Sequence, residues 1–156
     1  MTSREPLHSK GYEMLFGAVP HTWLTVVGEL IGERFFLSQV ESREPLANGG
    51  HQQLHRDLSA QRPGDTVNAL VYLDDYGLEN GATRIVTGSH RPALDEPPFD
   101  FTDESRSVQL TGNVADILIF DADVIHAGSL NASGARRRTL LITFFPTRSL
   151  QNTWKR

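Results

Sequence analysis

The pattern of apolar and polar positions changes character early in the chain. After Pro20, the stretch HTWLTVVGELIGERF places Trp23, Val26, Val27, Leu30 and Ile31 at helical spacing, and Gly32 suits the helix end. From Phe35 onward the runs are short and β-like: FFLSQVES, the turn ANGG, QQLHRDL, TVNALVYLDD, the turn DDYGLENG, then ATRIVTGS. HRPALDEPPFDFTDES, with three prolines and five carboxylates, reads as a loop long enough for a lid. RSVQLT, ADILIFD, DVIHAGS and RTLLITFF supply four further strands. Residues 1–19 show no period and predict a poorly ordered leader.

Many short strands after one or two N-terminal helices predict an all-β sandwich or barrel of the jelly-roll kind. Such barrels converge inward-facing residues of several strands on one mouth. The 156 residues suit one domain, expected over 20–156. Composition narrows the chemistry. A net charge of −4 with scattered basic residues gives no stripe for nucleic acid. Without cysteine there are no disulfides, thiolate zinc sites or Cys nucleophiles, so metal ligands must be His, Asp or Glu. The N-terminus lacks a signal-peptide core and the run WLTVVGELIG is broken by Glu29, which predicts a cytoplasmic protein with no membrane partner.

The candidate chemistry begins at QQLHRD. On a strand, His55 and Asp57 share a face while Arg56 turns away. Alone, H-x-D is most often a solvated pair. His126, directly after the apolar run ADILIF, supplies a third ligand near the barrel mouth. Two His and one carboxylate leave one face of an octahedral ion free, as in non-haem Fe(II) oxygenases, whereas zinc hydrolases keep one open position. Asp121 and Asp123 are alternative carboxylates. A free face takes a 2-oxo acid, and the far carboxylate of 2-oxoglutarate then needs a buried cation. Arg137, entering RTLLITF, is that candidate, placed beside the strand of His126, with Arg136 and Arg138 facing solvent. His51 is expected at the pocket rim or in solvent, and His90 in a structural hydrogen bond. His8 and His21 have no partner pattern, and Ser89 and Ser129 lack triad partners. Trp23 is expected in the core and Trp154 in a tail.

QQLHRD, NALVYLDDYGLENGATRIVTGSHR, ADILIF and HAGSLNASGARRRTLLITF together resemble the phytanoyl-CoA dioxygenase-like Fe(II)/2-oxoglutarate oxygenases, from about Pro20 to Phe145. The segments Q-x-L-H-R-D and N-G-A-T-R look most like members from specialised metabolism. The resemblance implies a double-stranded β-helix, with Fe(II) on His55, Asp57 and His126 and 2-oxoglutarate on Arg137, Gln52 and Thr83. It also implies O2-dependent oxidation, hydroxylation by default, of a small organic molecule, with loss of CO2 from 2-oxoglutarate to give succinate. Two departures stand out. Little precedes Pro20 where the family carries a longer helical region, so the pocket is expected to be open, completed by a partner subunit as in a homo-oligomer, or lost. Ala115 stands where the family commonly has Gly. The rival readings are a non-catalytic jelly-roll binding module and a cupin-like metalloenzyme that does not use 2-oxoglutarate.

Overall fold

The computed structural model describes residues 22–57, 65–92 and 95–149; the expected leader, His8, His21 and Trp154 lie outside them. The helical period forms α1 (Thr22–Ile31), which buries Trp23, Leu24, Val27 and Ile31. Val26 and Leu30, also expected inside, are exposed. The contact stripe follows 23, 27 and 31, and positions 26 and 30 lie about 100° of helix turn away from it. Gly32 ends the helix with φ 73°, its N–H reaching the Gly28 carbonyl at 2.8 Å, a conformation that a Cβ opposes.

The strands are β1 (Phe35–Arg43), β2 (Val67–Tyr72), β3 (Arg84–Ile85), β4 (Val108–Gln109), β5 (Ile117–Asp121), β6 (His126–Ala127) and β7 (Thr139–Pro146). They form two antiparallel sheets, ordered β1-β7-β2-β5 and β4-β3-β6. This is the two-sheet jelly-roll architecture expected of the sequence. Period-two alternation on β2 divides the larger sheet. Val67 and Ala69 join Ile142 and Phe144 under α1, and Phe144 meets Trp23 and Phe35 edge-on, with ring centroids 5.8 and 5.6 Å away. Leu70 and Tyr72 face the other way and pack with Tyr76, Phe120 and Leu141. Asn68 shares that inner face.

Two expectations need correction. QQLHRDL is not a strand among the described residues: it makes a single β-bridge, His55 with His126. Beside that bridge the Arg56 guanidinium donates to the carbonyls of Ser89 (2.7 Å) and Asp123. Nor does His126 end the apolar strand. That run is β5, in the larger sheet, and a turn at 122–124 carries the chain across to β6 in the smaller one. Arg137 consequently precedes β7, in the sheet opposite His126, rather than lying beside its strand.

Ala115 adopts φ 74° in the turn before β5, where its N–H reaches the Tyr72 carbonyl at 2.9 Å. An L side chain pays for that conformation, which explains why glycine suits the position. Ala115→Gly should therefore stabilise the protein by about 0.5–1 kcal/mol, the left-handed cost of roughly 1–2 kcal/mol less the entropy that glycine adds to the unfolded chain. Urea denaturation measures it, and a lower midpoint for the glycine variant would show that no strain is relieved.

Candidate metal centre

The expected site residues meet at the gap between the sheets. His55 and His126 exchange backbone hydrogen bonds of 2.9 Å each way, which sets their rings side by side with centroids 4.7 Å apart. Each ring uses Nδ1–H to donate to the carbonyl two residues earlier, His55 to Gln53 and His126 to Val124, both at 2.8 Å. With the proton held on Nδ1, each Nε2 presents its lone pair. Those Nε2 atoms lie 3.5 Å from Asp57, one from each carboxylate oxygen. One donor atom from each of the three residues falls within 4.8 Å of the others, the only such group among the described residues. Asp121 and Asp123 do not join it: the Asp121 carboxylate accepts from the Asp123 N–H at 2.9 Å.

The electrostatics suit a cation. Burial pushes the Asp57 carboxyl up, but its bonds to His126 and His55 outweigh this and hold it far below the usual carboxylate range. His55 is raised above its ordinary value, first by its bond to Asp57 and against the cost of burial. Without an ion, the carboxylate favours a proton on His55 Nε2; a bound ion would take that proton's place.

Asp57 and His126 line a small cleft that reaches Arg137. Three arginines in sequence part company here. Arg136 pairs with Glu44 (2.8 Å) and Arg138 with Asp74 (2.7 Å), both at the surface. Arg137 is buried, its guanidinium carbon 5.0 Å from the Tyr76 ring centre, and its Nε has no hydrogen-bond partner. No carboxylate pairs with it among the described residues. Gln52 and Thr83 both line the cleft. The Gln52 side-chain oxygen accepts from the Gly128 N–H at 2.9 Å, and its carbonyl accepts from Arg84 at 2.6 Å. A Cβ on Gly128 would come within 3.0 Å of the Gln52 oxygen and 2.8 Å of the Gly50 carbonyl, so glycine keeps this wall of the cleft open. Of the other candidates, His51 is exposed at 3.4 Å from Glu104, and His90 Nδ1 is buried without the expected hydrogen bond. Ser89 accepts from the Ile125 N–H and shows no triad geometry.

Three neighbours escaped sequence reasoning. Asn68 donates to Asp57 at 2.6 Å, and Thr143 donates to the Asn68 carbonyl oxygen at 2.9 Å. Arg43, at the end of edge strand β1, also lines the cleft. The available signal was Asn68 itself, a lone amide inside the apolar run VNALVY. A carboxylate only accepts, so the amide must face it nitrogen first, and the Thr143 hydroxyl holds that orientation.

Two outcomes follow from this geometry. Asn68→Leu keeps the volume and removes the donor, which should lower Mn(II) affinity about 10–100-fold. Thr143→Val should lower it less, and the double variant no more than Asn68→Leu alone; unchanged affinity in all three would remove Asn68 from the site. The pH response should reverse with metal. A raised His55 contributes stability below its ordinary pKa of about 6.5 and loses it as pH rises through the folded value, whereas the depressed Asp57 is constant above about pH 4. Metal-free protein should then melt lower as pH rises from about 6 to about 8. Mn(II)-loaded protein should melt higher, since ligation needs neutral imidazoles. Melting curves with and without Mn(II) test this, and parallel trends would contradict it.

Residues 7–139 match the family model described as Phytanoyl-CoA dioxygenase (PhyH). The chain is 34% identical over 97 residues to the Fe(II)/2-oxoglutarate-dependent dioxygenase nvfF of Aspergillus novofumigatus, an alignment covering 56% of this chain and 31% of that protein. It is 28% identical over 145 residues to the iron/alpha-ketoglutarate-dependent dioxygenase ausO of Aspergillus calidoustus, covering 85% of this chain and 48% of that one. The chain thus spans about a third to a half of the length of these relatives. Among solved structures, the epimerase SnoN in complex with Fe3+, alpha ketoglutarate and nogalamycin RO superposes with a TM-score of 0.67 at 20% identity, over 88% of this chain and 60% of that chain, a likeness of fold. The family match, the jelly roll and the His-Asp-His cluster agree: the chain belongs to the phytanoyl-CoA dioxygenase (PhyH) family.

Proposed function

We propose that residues 20–156 act as one oxygenase domain that binds Fe(II) through His55, Asp57 and His126 and 2-oxoglutarate through Arg137, and oxidises a small organic molecule, by default hydroxylating it. Gln52 and Thr83 line the 2-oxoglutarate site. The observation that carries this reading is a buried arginine, without a counter-charge among the described residues, in the cleft that Asp57 and His126 line. A buried guanidinium without a counter-charge is costly, and a dicarboxylate spanning from the metal to Arg137 offsets that cost. A cupin-like metalloenzyme without 2-oxoglutarate leaves Arg137 unexplained.

The donor set would fit iron: two imidazole nitrogens and one carboxylate, with no fourth His, Asp or Glu in the group among the described residues. When bound, iron and 2-oxoglutarate supply an oxidant strong enough to break a C–H bond, with CO2 and succinate as by-products. The protein does the rest. Asp57 stays ionised at neutral pH and so contributes one negative charge to the centre. His55 and His126 keep Nε2 toward it through their Nδ1–H bonds. Arg137 takes the far carboxylate with its planar fork. Leu70, Phe120 and Leu141 form an apolar wall that limits water in the cleft.

Anaerobic titration with Fe(II) and 2-oxoglutarate should produce the visible charge-transfer band of the chelate, and His126→Ala should lose it. Arginine position should then decide affinity. Losing a buried charged pair typically costs ~2–5 kcal/mol, so Arg137→Ala should weaken 2-oxoglutarate at least about thirtyfold. Lysine there should restore only part of this. Arg136→Ala and Arg138→Ala remove surface pairs worth roughly 0–1 kcal/mol and should bind nearly as the parent does. Equal losses at all three positions would mean a diffuse basic patch.

A further inference from the structure

Tyr76 is the strongest unexplained group in the cleft. The residue is 2% exposed and its ring meets two flat groups: Tyr72 stacks on it at a centroid distance of 3.7 Å and 5° between planes, and the Arg137 guanidinium lies 5.0 Å from its centre. The backbone is held as tightly, since Tyr76 exchanges hydrogen bonds of 2.8 and 3.0 Å with Gly112. The ring therefore has little freedom to turn. Yet its hydroxyl is buried with no hydrogen-bond partner, as is Nε of the arginine beside it. A buried unsatisfied hydroxyl is rare and costs stability, whereas phenylalanine would fill the same stack without that cost.

Two buried donors without acceptors, on adjacent side chains that both line one cleft, share one kind of remedy: a ligand with acceptor oxygens. Resting on the 2-oxoglutarate reading above, we infer that the Tyr76 hydroxyl donates to the far carboxylate of 2-oxoglutarate, alongside Arg137. The stacked tyrosine pair supplies a rigid wall, so the hydroxyl is set in place before the ligand arrives and little ordering is needed on binding. Tyr76 acts as a donor only; no proton is transferred. The hydroxyl contributes selectivity as well as affinity, because an acid without the second carboxylate leaves it unsatisfied, as it is in the free protein.

Tyr76→Phe tests the inference with three readouts on the full chain. In metal-free protein, urea denaturation should show the variant at least as stable as the parent, because the hydroxyl has no partner there. In Mn(II)-loaded protein, calorimetry should show 2-oxoglutarate bound about tenfold more weakly, the usual size for one hydrogen bond to a charged group. Binding of 2-oxobutanoate, which lacks the far carboxylate, should be the same in both proteins. A variant that binds 2-oxoglutarate within about twofold of the parent overturns the inference and leaves the role of Arg137 standing. Equal weakening toward both acids also overturns it, since a merely structural role of the stack would produce that. If the parent itself takes up no 2-oxoglutarate, the function proposed above fails first.

Discussion

Two backbone hydrogen bonds between His55 and His126 carry the whole arrangement. They join a segment that has no other ladder partner at that point to a two-residue strand, and they set both rings on the same side of the bridge. Neither element would hold such a position alone. The first is anchored by the bond of Arg56 to the Ser89 carbonyl and the second by its pairing with β3. The order of the site is thus borrowed from the smaller sheet, and its third donor comes from beyond the bridge, where Asp57 is fastened by Asn68 of the larger sheet. The centre works as a clasp between two sheets, and loosening either one disperses the donors.

That division also explains why the interior is polar where it is. The face of β2 under α1 is apolar, with Val67 and Ala69 fully buried, and its work is packing. The opposite face begins with Asn68, continues through Leu70, and ends in the stacked Tyr72 and Tyr76. Among the buried polar atoms without a partner are the Tyr76 hydroxyl and Arg137 Nε, on adjacent side chains that line the cleft. In a low-dielectric setting an unsatisfied donor is expensive, so its persistence marks a place shaped for something other than stability. The strained turn at Ala115 is of a different kind: it lies on the connection into β5, and Ala115 does not line the cleft.

Much was legible in the chain before any coordinates. The change from a helical to a two-residue period located α1 and the strands, because side-chain direction follows backbone geometry directly. The expected separation of Arg137 from Arg136 and Arg138 also appears, the first buried and the others on Glu44 and Asp74 outside, although all three precede β7 instead of alternating along it. The spacing of His55 and Asp57, with His126 as a third donor, identified the cluster that the fold brings together. The error at QQLHRDL arose because a β-like composition does not reveal whether a partner strand is within reach.

What only the tertiary structure decided are the contacts between residues far apart in sequence. That Asn68 meets Asp57, that Thr143 holds the amide, and that Tyr76 lies under Arg137 depend on sheet order and on which face of one sheet meets the other. The crossing from β5 to β6, which sends His126 to one sheet while Arg137 leads into the other, is likewise invisible in a local pattern. The sequence by itself determined which residue types were available and which way each would point from its own strand, since those follow from short-range geometry. Their meeting places were set by the packing of two sheets, where burial of apolar faces selects the register and the polar groups take whatever neighbours that register brings.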